Sequence, residues 1–135
     1  MNTYALAPLS DRQQKERSKK RLIGTMLSAA TLAGRLRGLT RAGEDCTHSG
    51  VKLRGISEDL ANTLNALNTN YQNMRPTHFD ENAFSELDAH ARGLIDYSNT
   101  WEMSRNWSES VECSDKIRDI TFEVVGTLQY ISDHL

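Results

Sequence analysis

Apolar residues recur every three or four positions along most of the chain, and no other feature limits the fold as strongly. Leu53, Ile56, Leu60, Leu64, Leu67, Tyr71 and Met74 form one helical stripe, with Glu58, Asn62, Asn65 and Asn68 largely off it. Upstream, Leu22, Met26, Ala29, Leu32, Leu36 and Leu39 repeat the spacing. Ser10 with Gln13 makes a capping box, so this first helix is predicted from there to about Ala42, with Gly43 as a left-handed stop. Downstream, Phe84, Leu87, Ala91, Leu94 and Trp101 mark a third helix from about Asp80. Ile117, Ile120, Val124, Leu128, Ile131 and Leu135 mark a fourth, capped by Asn106 or Ser108. Proline occurs only as Pro8 and Pro76, and Arg75 before Pro76 ends the second helix.

Four such stripes predict an all-α fold, an antiparallel four-helix bundle, and 135 residues suffice for one such domain with a core of its own. Residues 1–9 read as a flexible lead-in to a single helical domain over 10–135. An internal repeat underlies it. "LAGRLRGL" (Leu32 to Leu39) aligns without gaps to "LDAHARGL" (Leu87 to Leu94), and the helix from Lys52 to Leu67 aligns to Lys116 to Ile131. The domain therefore reads as two αα-hairpins, 10–75 and 77–135.

The repeat gives meaning to two glycines inside the first helix, each costing about 1 kcal/mol relative to alanine. Ala30, Gly34, Gly38 and Ala42 form a strip of small residues, matched on the third helix by Ala89 and Gly93. Small residues four apart let helix backbones approach closely, so the strip is expected either to cross the third helix or to centre a homodimer.

Net charge is −2, but it is unevenly spread. Up to Arg54, eleven basic residues oppose four acidic ones, a balance of +7; five oppose fourteen in the remainder, a balance of −9. The basic run Arg12, Lys15, Arg17, Lys19, Lys20 and Arg21 offers phosphate contacts to a nucleic acid. The plainer reading is a solvated helix start that answers the acidic half.

Little points to catalysis. Glu86 and His90 have the i, i+4 spacing of paired metal ligands, but only His48 and His134 offer partners elsewhere, and an acidic helix start explains the cluster better. Cys46 and His48 are too close for a zinc hairpin. There is no phosphate-binding glycine loop, nucleophile elbow or His-Glu-x-x-His pair. No cofactor or metal is expected, and no enzymatic activity. Two cysteines without a secretory leader or a membrane-length apolar run suggest reduced thiols and a cytoplasmic protein with no membrane partner.

Trp101 and Trp107 flank Arg105 in the second hairpin's turn, the composition of an interface hot spot; the plainer reading has them close the bundle end. The expectation is a small regulatory or inhibitory protein that covers a surface of a protein partner through Trp101, Arg105 and Trp107 and self-associates. Small bundles of this kind occur among bacterial and phage-encoded modulators, a fold-level analogy only. Nucleic-acid binding through the basic first helix is the alternative.

Overall fold

The computed structural model describes residues 10–44, 46, 50–74 and 79–135. Among these, four helices and no strands occur: α1 (Asp11–Leu39), α2 (Gly50–Met74), α3 (Glu81–Met103) and α4 (Trp107–Asp133). The lead-in, His48, His78 and the Arg75–Pro76 boundary lie outside the described residues.

Local chemistry sets the helix ends. Gln13 N–H donates to the Ser10 hydroxyl at 3.2 Å, and Ser10 N–H donates to Gln13 Oε1 at 3.0 Å, completing the capping box. Asp80 caps α3 by accepting from Asn82 and Ala83 N–H. Asn106, rather than Ser108, caps α4 by accepting from Glu109 N–H at 2.8 Å. The end of α1 departs from expectation. It stops at Leu39, because Thr40 turns extended and directs its N–H and hydroxyl back to Leu36 O and Arg37 O. Gly43, at φ +76°, shapes the turn that follows.

The helices pack in a ring. α1 lies against α2 and α4, and α3 lies against the same two, so α1 and α3 stand across the bundle with no more than marginal contact. Leu22, Leu36, Leu53, Leu60, Leu64, Leu67, Leu87, Leu94 and Ile117 are completely buried between them. Each such side chain contributes about 1.5–3 kcal/mol of hydrophobic stabilisation. Because α2 touches two neighbours, its buried face is wider than its stripe: Ser57, Ala61 and Asn68 are also inside. Asn68, read from the sequence as off the core, donates to Phe84 O at 3.0 Å and ties α2 to the start of α3. Buried Ser57 and Thr121 satisfy their hydroxyls on their own helices, at Leu53 O and Arg118 O.

This order corrects the first reading of the small-residue strip. Ala30, Gly34, Gly38 and Ala42 are exposed, and a Cβ added at Gly34 or Gly38 would meet nothing within 4 Å. The strip cannot cross α3, which lies on the far side of the core. Of the matching residues on α3, Ala89 is exposed, whereas Gly93 faces α4 so closely that an added Cβ would stand 2.9 Å from Ile120 Cδ1.

Candidate functional site

Where the core stripes of α1 and α4 end, a second apolar strip begins. Ile23, Leu27 and Ala30 of α1 face Val125, Leu128 and Gln129 of α4 across an open groove of about 380 Å³. Leu27 is 64% exposed and Phe122, further along α4, 49%. Ile23, Leu27, Phe122 and Val125 are half of the eight large hydrophobic side chains exposed among the described residues; three line this groove, and Phe122 lies on the same α1–α4 seam beneath Arg37. Helical spacing continues the strip from Ala30 to Gly34.

Positive charge stands at the groove and again further along the α1–α4 seam. Lys19 lines the groove. Beyond Gly34, the Arg37 guanidinium lies 4.2 Å from the Phe122 ring centroid and that of Arg118 5.4 Å from it. Arg118 is held by two carbonyls that close α1, donating to Arg37 O at 3.1 Å and Thr40 O at 2.7 Å. The Arg37 Nε is buried without a hydrogen-bond partner.

A second cleft, about 650 Å³, opens between α3 and α4 and has the opposite charge, with Asp80, Glu86 and Glu123 on its walls. His90 is buried beneath it. Its Nδ1 lies 3.6 Å from Glu123 and its Nε2 3.5 Å from the Thr127 hydroxyl, which donates to Glu86 at 3.0 Å. Burial pushes the imidazole below the usual histidine range and outweighs the opposing pull of Glu123 and Glu86. Tyr130 donates to Asp80 at 2.6 Å, which lowers the carboxyl pKa and raises that of the phenol. The residue facing the Glu86–His90 pair is therefore Glu123, not a histidine, and it was legible only as one acid among fourteen. No group of three His, Cys, Asp or Glu suited to holding a metal ion occurs among the described residues.

The structure separates the other candidates. Trp101 is 7% exposed and belongs to the core, so it is withdrawn as a partner-binding residue; Arg105 and Trp107 are exposed at the α3–α4 turn, with Met103 beside them in sequence. Arg12, Lys15, Arg17, Lys19, Lys20 and Arg21 are exposed on turns of α1 that precede its first buried residue, Leu22. Among the described residues, only Arg12 of these six forms an ion pair, with Glu16 of the same helix. Cys46 and Cys113 are buried and free; Cys46 Sγ lies 2.9 Å from the Ser114 hydroxyl. No helix among the described residues is long and apolar enough to cross a membrane.

No family model, curated protein or solved structure matches this chain.

Proposed function

We propose that this protein is a small non-enzymatic regulator or inhibitor that acts by covering a surface of a protein partner. The observation that carries this reading is the α1–α4 seam, where Ile23, Leu27, Phe122 and Val125 leave apolar area in water beside an already complete core. Contiguous exposed apolar surface of this kind marks interaction sites in soluble proteins. Arg105 and Trp107 offer a second, separate contact at the α3–α4 turn.

The architecture we attach to this function is a pair of antiparallel hairpins. In support, Asn70 late in α2 bonds Thr25 of α1, and Arg54 early in α2 pairs with Glu102 late in α3. Tyr130 late in α4 reaches Asp80 at the start of α3.

The test is chemical cross-linking in extracts of the native host, with wild type, Leu27→Glu and Trp107→Ala as baits. Both changes fall on exposed side chains, so the baits should fold. A partner taken by wild type and lost from Leu27→Glu supports the reading; absence of any specific partner from wild type defeats it.

Nucleic-acid binding is retained as a second reading because the basic run of α1 is exposed and largely free of internal ion pairs. A salt titration separates the two. Phosphate contacts give an affinity that falls steeply with salt, and no binding at low salt ends this alternative.

A further inference from the structure

Resting on the protein-binding reading, we infer that the α1–α4 groove receives one amphipathic helix of a partner, apolar along its docked face and acidic at both ends. Ile23, Leu27 and Val125 stand beside its buried Met26 and Leu128, and helical spacing continues the α1 side through Ala30 to Gly34, where an added Cβ would meet nothing within 4 Å. Small residues along the α1 side admit a helix backbone at short range, and helix-in-groove docking reads anchors at this three- and four-residue spacing.

Charge selects the occupant. Lys19 stands at the groove and Arg37 further along the same seam, with Arg118 across from Arg37. The α1 carbonyls hold the Arg118 guanidinium, and both guanidiniums lie over the Phe122 ring. Asp115, an acidic residue at this end of α4, accepts from Gly43 N–H at 3.0 Å and is thus engaged within the chain. From Lys19, at the groove, to Arg37, further along the same α1–α4 seam, α1 rises about 27 Å, the length of a helix of about 18 residues. A second copy using the same face would set Lys19 and Arg37 against their like, which repels; carboxylates at both ends of the occupant are attracted.

The test uses two fluorescein-labelled peptides of about 18 residues with the same leucine stripe, one with glutamates on the remaining face and one with lysines. Binding to the full chain is followed by fluorescence anisotropy at low and moderate salt. The acidic peptide is expected to bind roughly tenfold or more tightly than the basic one. Gly34→Leu, which adds bulk on the α1 side of the seam, and Lys19→Glu, which reverses one charge, should each weaken it by a similar factor; thermal melts check that both variants fold.

Equal binding of the two peptides, no binding of either, or full binding by Gly34→Leu overturns the inference. So does a wild-type dimer in sedimentation that Gly34→Leu converts to monomer, which assigns the face to a second copy. A host partner lost from Trp107→Ala but kept by Leu27→Glu would leave the protein-binding reading standing and remove this groove from it.

Discussion

Gly34 and Gly93 both sit inside helices, and the space beside each decides what a methyl group would do there. At Gly34 nothing lies within reach, so Gly34→Ala should raise stability by about 0.5–1 kcal/mol, the usual gain in helix propensity. That corresponds to a melting temperature about 2–4 °C higher. At Gly93 the same methyl meets Ile120 Cδ1, so Gly93→Ala should show a smaller gain or a loss. Equal melting temperatures for the two variants would contradict the close α3–α4 approach. His90 makes a second test at this scale. Its neutral form is favoured by burial in the fold, so the unfolded chain binds a proton more readily. Stability is therefore fully present above about pH 6.5 and falls as pH drops through the histidine range. Thermal melts should show that decline between pH 7 and 5, with a shallower slope in His90→Gln. Asp80 does not intrude, since its pKa is shifted downward and its contribution is lost only at lower pH. The sequence did not reveal these environments. The glycines look alike in it, and Glu123 stands 33 positions from the histidine it faces.

Helix caps can be read from neighbouring residues, but their worth depends on what the capped turn touches. Ser10 and Asn106 both accept a bond from the N–H three residues on, and losing such a cap costs its helix about 1 kcal/mol. Asn106→Ala should lower the global melting temperature, because Ser110 and Cys113 in the next turns are buried. Ser10→Ala should scarcely move it. The turns it caps precede Leu22 and can fray alone, which amide exchange in residues 11–18 would report. Nearly all of each helix was legible for the same reason: capping and apolar periodicity act within four or five residues. Asn106 could be weighed against Ser108 from the sequence, although only the built helix chose between them. The end of α1 was misplaced because Thr40 closes it early, with Arg118, 78 positions away, holding its last carbonyls.

For the molecule as a whole, the basic start of α1 lies largely outside the bundle. Replacing Arg12, Lys15, Arg17, Lys19, Lys20 and Arg21 together by glutamine should leave the melting temperature nearly unchanged while abolishing any salt-sensitive binding to nucleic acid through this run. A large loss of stability would show that those turns are packed after all. The charge division, +7 up to Arg54 and −9 beyond it, does not resolve into ion pairs between α1 and the acidic half among the described residues. The sequence by itself determined that the four helices of the described residues form, where most of them begin, and which stripe of each is apolar enough to be buried. Those properties follow from backbone hydrogen bonding and side-chain spacing inside one element. Only the tertiary structure decided which helices are neighbours, and so which second faces stay in water. Periodicity records that a face is apolar but not what lies opposite it. The ring order therefore buried Trp101 and Asn68, set Glu123 over His90, and turned the small-residue strip of α1 outward beside an open apolar seam.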